Sequence, residues 1–265
     1  IAGYNDSDAK TIAYAAQYVD ESSKNMILDD VNFAFPTIQT NSEFQKYYAD
    51  FNSWGYKWNL DSLNEIKKVW IPFHFLPGNL NNQVKYNGVK ESKGLTTNWK
   101  FKDGDDQTFR LMCLPNSETV SAIINDLIYF HSTEEYKLQF IGMRMHVLAD
   151  TWAHVYFIGK PEWYINDIKE FIAEESKYIE ETKWTKAEEY RNGSWHAINF
   201  TGTPDAGGYE SISYLGHGRI GHLPDYGYLN YRYVPNWSCT DDKVKIQKNN
   251  QDNFFKAFCQ MVYAL

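Results

Sequence analysis

From Phe140 to Phe157 the chain passes through Ile141, Met143, Val147, Leu148 and Trp152, apolar on most faces of a helix, so a fold of this sequence has to bury that segment. Inside it stand His146, Asp150 and His154, at successive steps of four residues. At about 100° per residue, steps of four and eight turn the side chains by about 40° and 80°, which puts all three on one narrow face. Titratable groups buried together destabilise a fold unless something compensates, and a divalent cation compensates best. The two histidines lie about 12 Å apart along the axis, too far to share one ion at metal–nitrogen distances near ~2 Å. Asp150 lies midway. The spacing predicts two ions bridged by Asp150, each taking one histidine. Without metal, the same residues read as a hydrogen-bonded His–Asp pairing in the core.

The chain of 265 residues is long enough for one domain or two, and no linker divides it. Aromatic residues make up 17% of it, so the core is expected to consist of large flat side chains able to enclose a deep site. The formal net charge of −8 argues against binding that tracks a nucleic-acid backbone, and leaves small nucleotide substrates open. No stretch has the roughly 18 consecutive apolar residues of a membrane span, and no signal peptide opens the chain. The expectation is a soluble protein, with secretion, delivery as an effector and cytoplasmic residence all left open, and with no obligate protein partner implied. Cys113, Cys239 and Cys259 are an odd number without Cys-x-x-Cys spacing, so any metal must use histidine and carboxylate.

Asn5 or Asp6 is placed to cap a helix over residues 7–19, with Asp20 at its end. Ser42 and Gln45 form a capping box for a short helix stopped by Gly55. Val69 to Phe75 reads as extended, closed by Pro77 and Gly78, with His74 just before the turn. Thr97–Phe101 and Thr108–Met112, flanking Asp103-Gly104-Asp105-Asp106, predict a small β-hairpin within an insertion over residues 79–113. Ser117 starts one helix, and a capping box of Ser132 and Glu135 starts the central one. Pro161 is placed at the first turn of a further long helix ended by Asn192-Gly193. Residues 195–235, rich in Gly, Tyr and Pro, predict irregular structure wrapped over the site, and a last helix runs through Phe254, Phe255, Phe258 and Val262.

A second concentration of chemistry lies in Gly216-His217-Gly218-Arg219-Ile220-Gly221-His222-Leu223-Pro224-Asp225. Glycines let backbone approach a site closely, and His217, His222 and Asp225 offer nitrogen and oxygen ligands. A glycine-rich turn with incidental histidines fits the same residues. Taken singly, Asp20 reads as a solvated helix end or a ligand, and His74 as a core residue or a ligand. His131 and His196 lack companions. No Gly-x-Ser-x-Gly elbow, phosphate loop or dinucleotide fingerprint is present, which leaves hydrolysis by metal-activated water.

The order Asp20, His74, His146-x3-Asp150-x3-His154, His217 and Asp225 resembles the ligand order of the zinc-dependent phospholipase C and fungal-type single-strand nuclease superfamily. More closely, Ala16-Gln-Tyr-Val-Asp20, Phe73-His-Phe-Leu-Pro-Gly78, His146-x3-Asp-Thr-Trp-Ala-His154, Gly216-His-Gly and His222-x-Pro-Asp225 are similar to an uncharacterised bacterial domain family related to that superfamily. The resemblance implies a single, mainly α domain over residues 1–265, a phospholipase C-like helical bundle with irregular loops. It also implies two or three zinc ions and a phosphodiester substrate, phospholipid favoured over nucleic acid. The superfamily's N-terminal Trp and early His have no counterpart before His74, so the expectation is either two ions without a third or a third whose ligands lie upstream of Ile1. Three residues, rather than the superfamily's five, separate Asp150 from the next histidine. In the mechanism this implies, Asp150 bridges the ions and Asp20 is a ligand or the general base that orients the water. Trp152, Tyr156, Tyr226, Tyr228 and Tyr231 are expected to wall an apolar entrance, and Arg219 to steady a phosphate. A nuclease or nucleotide phosphohydrolase would use the same ions. A reading of a different class is a binding or toxin-associated domain in which metal only stabilises the fold.

Overall fold

The computed structural model describes residues 2–22, 66–81, 83–84, 107–130, 135–160, 162–166, 168–174, 215–220, 223–235, 237 and 246–265. These are mainly helical, with one small antiparallel sheet. Asn5 caps the first helix, α1 (Asp6–Glu21), by accepting the Asp8 N–H at 2.9 Å. Ser117 does the same for α2 (Glu118–Phe130), its hydroxyl oxygen accepting the Val120 N–H at 3.3 Å. The central helix α3 (Lys137–Ala153) buries Ile141, Met145, Val147, Leu148 and Thr151. It begins behind Tyr136, which supplies no side-chain cap, and stops at Ala153, short of the expected Phe157. A four-residue helix, α4 (Trp163–Asn166), and the last helix, α5 (Asn250–Ala264), complete the α-helices among the described residues.

Several expectations are corrected. Residues 66–74 form a π-helix (Ile66–His74) rather than an extended segment. A short apolar run does not distinguish a buried strand from a helix. Pro72 selects the wider form, because it lacks an N–H and its ring crowds an ordinary helical turn; Phe75 accordingly donates to Trp70, five residues back, at 2.9 Å. The second arm of the expected hairpin is a 3-10 helix (Gln107–Leu111), whose Phe109 carbonyl is taken up by the buried Asn79 amide at 3.0 Å. Its first arm lies outside the described residues, as do the Ser42–Gln45 capping box, Ser132, Pro161, His131 and His196.

The long helix expected from Pro161 gives way after α4 to β1 (Ile168–Glu174). Asn166 ends α4 by turning its side chain back to the Ile158 N–H and to the carbonyls of Ile158 and Lys160. The edge of β2 (Asn230–Pro235) then captures the following residues as a strand, tertiary pairing overriding the local expectation. β2 itself falls within the stretch expected to be irregular. Its Tyr231 and Tyr233 point inward and Arg232 outward, the alternation of a half-buried strand. β3 (Ile246–Asn249) closes the sheet in the order β1-β2-β3, all antiparallel.

Among the described residues, two hydrophobic clusters result. Val120, Ile123, Leu127, Ile141, Met145, Val147 and Leu148 fill the helical one. An aromatic one lies under the sheet, with Phe109, Phe157, Tyr231, Tyr233 and Trp237. The end of the π-helix joins them, since Phe73 and Leu76 pack on the first cluster while Phe75 belongs to the second. His74 sits at that seam.

Candidate metal centre

α1 lies unusually close to α3. A Cβ on Gly142 would stand 2.3 Å from the Ile12 carbonyl oxygen and 2.6 Å from the Ala15 Cβ, so glycine is what admits the close approach. Four residues past Gly142 in α3, and four past Ala16, which also lines the crossing in α1, Asp20 stands beside His146, with Oδ1 3.6 Å from Nε2. His74 enters from the π-helix, its Nδ1 3.5 Å from His146 Nε2 and 3.8 Å from Asp20 Oδ1. Asp150 Oδ2 lies 3.3 Å from the first of these nitrogens and 3.2 Å from the second. Four ligands placed tetrahedrally at 2.0–2.1 Å from an ion would be about 3.3–3.4 Å apart; Asp150 stands at that distance from both histidines, and Asp20 slightly farther, at 3.6 and 3.8 Å.

A second group forms where α3 ends. His154 is the residue after the last turn and has left the helical path, at φ −91° and ψ 19°. Its Nδ1–H donates to the His74 carbonyl at 2.7 Å, which fixes the tautomer and turns Nε2 toward Asp225 Oδ1, 3.2 Å away. His217 Nε2 approaches the same oxygen at 3.6 Å. The Phe75 ring stacks on His154 at 4.6 Å and 22° and also borders His217. Gly216, at φ +52°, has no room for a side chain: a Cβ there would lie 2.1 Å from the Phe75 ring.

Asp20, His74 and His146 thus form one set of potential metal ligands, and His154, His217 and Asp225 another, each with one ligand atom per residue within 4.8 Å of the others. Asp150 stands between them, 3.2 Å from His146 Nε2 and 3.7 Å from His154 Nδ1. Its side chain is 17% exposed against 51% for Asp20 and 37% for Asp225, so the middle of the centre is interior and its two ends face solvent.

The chain belongs to the family of unknown function DUF6765. The match runs over residues 1–265. No curated protein and no solved structure matches the chain.

Charge is already balanced within the centre. Burial, the largest effect on Asp150, favours its neutral form, yet the charges of His154 and His146 and hydrogen bonds from His146 and His74 outweigh it and hold the carboxyl well below the usual carboxylate range. Burial also disfavours the charged form of His154, but Asp150, Asp225 and the His74 carbonyl together raise its pKa to about 9. His146 is raised in the same way, chiefly by Asp150 against the burial effect. An interior carboxylate bracketed by histidines that its own field keeps protonated is an arrangement in which cations can replace protons.

Other expected site residues are placed elsewhere. Trp152 is two residues past Asp150, on the far side of α3, where its indole N–H donates to Gln260 on α5 at 2.9 Å. Tyr156, at φ +76°, packs toward Trp237, and Tyr231 is buried in the sheet core. Tyr226 stays beside Asp225, its ring stacked on Tyr228 at 5.6 Å. Arg219 lies on a short 3-10 turn (Gly218–Ile220). His222 lies outside the described residues. Phe75 and Gly142 were not singled out from the sequence. The small pair Ala15-Ala16 on α1 and a lone glycine inside an apolar helix were the available signal for the close crossing.

Proposed function

We propose that this protein is a zinc-dependent phosphodiesterase that holds two ions. His74, His146 and Asp20, with Asp150 against the two histidines, would hold one, and His154, through Nε2, with His217 and Asp225 the other, Asp150 lying between the groups. The observation that carries this reading is the set of separations of 3.5–3.8 Å among His74, His146 and Asp20, with Asp150 3.2–3.3 Å from both histidines, near the spacing of ligands around one ion. Imidazole and carboxylate donors without thiolate suit zinc. Bound there, such ions supply Lewis acidity toward phosphate oxygens and a water acidic enough to act as nucleophile near neutral pH.

The chain's own residues would do the rest. Asp150, held ionised in the interior, keeps the two halves in register. The His74 carbonyl fixes the ring of His154 and so ties the halves together a second time. Asp20, half exposed at the solvent end of the first group, is placed to orient a water or accept its proton. On the side of Asp225, the stacked Tyr226 and Tyr228, with Phe254 over Gly227, offer an apolar approach that favours a phospholipid substrate.

The test is hydrolysis of phosphatidylcholine compared with single-stranded DNA and RNA by purified protein, with zinc added and then chelated. Phosphatidylcholine turnover that chelation abolishes is expected. Preference for the nucleic acids would make the protein a nuclease with the same ions. Zinc uptake with no turnover of any substrate would leave a metal-stabilised binding domain.

A further inference from the structure

Two buried polar side chains near the centre belong to neither ligand group. Along β3 and into α5, Ile246, Lys248 and Asn250 face inward while Gln247 and Asn249 face solvent, so the period of the strand drives a lysine into the interior. An ammonium group buried there is unfavourable unless hydrogen-bonded. Lys248 Nζ donates to the carbonyls of Trp152 at 3.1 Å and Ala153 at 3.3 Å, which lie at the negative end of α3 just before His154. Two residues on, Asn250 Nδ2 donates to the carbonyls of Leu223 at 2.7 Å and Tyr226 at 2.9 Å and reaches Pro224 at 3.4 Å. Those carbonyls bracket Asp225. Only the NH2 end of the amide can face three acceptors, which settles its orientation.

We propose that the β3–α5 junction, through Lys248 and Asn250, is the positioning element of the second metal group. The inference rests on the metal reading above. Asp225 hangs from a 3-10 turn (Leu223–Asp225), and His154 is the residue after α3, tied to the helix through its N–H to the Asp150 carbonyl but off the helical path at φ −91° and ψ 19°. Their ligand atoms nevertheless meet at 3.2 Å across 71 residues of sequence. Lys248 anchors one of these segments and Asn250 the other, and the two are fixed to each other by being two residues apart at one strand end. Neither side chain is itself a ligand. Both act through the backbone that carries the ligands.

The experiment compares the full wild-type chain with Asn250→Asp and Lys248→Met. Zinc per chain is measured by elemental analysis across buffered free zinc, cobalt substitution reports each site by its visible absorption, and circular dichroism monitors folding. Wild type is expected to hold two ions. Each folded variant is expected to keep one ion at wild-type affinity and to bind the other about 10–100-fold more weakly, the usual effect of losing a group that orients a ligand. A merely structural role would weaken both ions together or neither. Should Asn250→Asp not fold, Asn250→Ser, which keeps one donor, carries the same test with a smaller expected loss. Two ions bound equally well by wild type and the folded variants, or parallel loss of both, overturns the inference alone. A wild-type chain that takes up no metal overturns the metal reading, and this inference with it.

Discussion

The two ligand groups are built differently although Asp150 lies between them. Asp20, His146 and His74 are carried by α1, α3 and the end of the π-helix, so their positions follow from helix packing at Gly142. His217 and Asp225 sit on turns, and His154 on the residue where α3 stops. A helix positions side chains through its own hydrogen bonds, whereas a turn needs neighbours to hold it. One centre therefore depends on two kinds of support, and each kind can be removed separately.

Asp150→Asn should have the largest effect, because it removes the one charge that borders both groups. Wild type at a free zinc concentration about a thousand times Kd should gain about 4 kcal/mol of stability from each ion, whereas the variant should gain almost none. Thermal denaturation with and without zinc, alongside elemental analysis, checks this. Retention of one tightly held ion would show that the groups are independent rather than coupled through Asp150.

The two glycines probe the supports one at a time. Gly142→Ala forces α1 away from α3, costs roughly 1–3 kcal/mol, and should withdraw Asp20 and weaken the first ion alone. Gly216→Ala puts a methyl into the Phe75 ring at a left-handed backbone position, with a similar cost of roughly 1–3 kcal/mol, and should displace His217 and weaken the second ion alone. Stepwise zinc titration of each variant distinguishes the sites. The contrast between the groups would be lost if both variants affected the same ion.

This contrast also explains what could be read from the sequence. α1 and α2 were legible because end caps and apolar faces are local signals: of the two residues offered for α1 Asn5 caps it, and Ser117 caps α2. The departure of His154 from α3 was not, since three intervening residues look the same inside a helix and at its end. Val69–Phe75 has an apolar pattern that suits strand and helix alike, and Pro72 decides in favour of the wide helix only once Phe75 finds its acceptor. Nothing local marks Lys248 or Asn250, whose partners lie 96 and 27 residues away. Trp152 looked like a neighbour of the site in sequence, yet two helical residues carry it to the opposite face.

A pH series tests the proton-for-metal exchange in smaller steps. His154 and His146 have raised pKa values in the folded state, so without metal their contribution to stability is full below about 6.5, the unfolded value, and is lost above it, that of His154 as pH rises toward about 9. Lys248, lowered to about 8 first by burial and partly restored by Cys113, acts in the opposite sense, and its penalty is relieved as pH rises from about 8 toward 10.5. The metal-free protein should therefore lose stability between about pH 6.5 and 8 and change little just above, as chemical denaturation would show. Asp150, held low, adds stability that disappears only in acid, as pH falls below the ordinary carboxylate range through its folded value. Zinc affinity should move the other way from the histidine term, weakening about tenfold per pH unit below 9 for each proton it must displace. An affinity independent of pH would sink the exchange.

Asn5→Ala should have the smallest effect and is the control for the rest. Asn5 caps α1 at the end opposite Asp20, and its loss leaves the Asp8 N–H without its side-chain acceptor, at a cost of about 1 kcal/mol. Fraying of the first turn does not reach Gly142, where the crossing with α3 lies two turns along at Ile12, Ala15 and Ala16. The melting temperature should fall by a few degrees while both ions bind as in wild type. If this exposed cap also weakened the first ion, α1 would be acting as one rigid lever from Asn5 to Asp20, and the support of the first group would extend over the whole helix rather than reside in its crossing with α3.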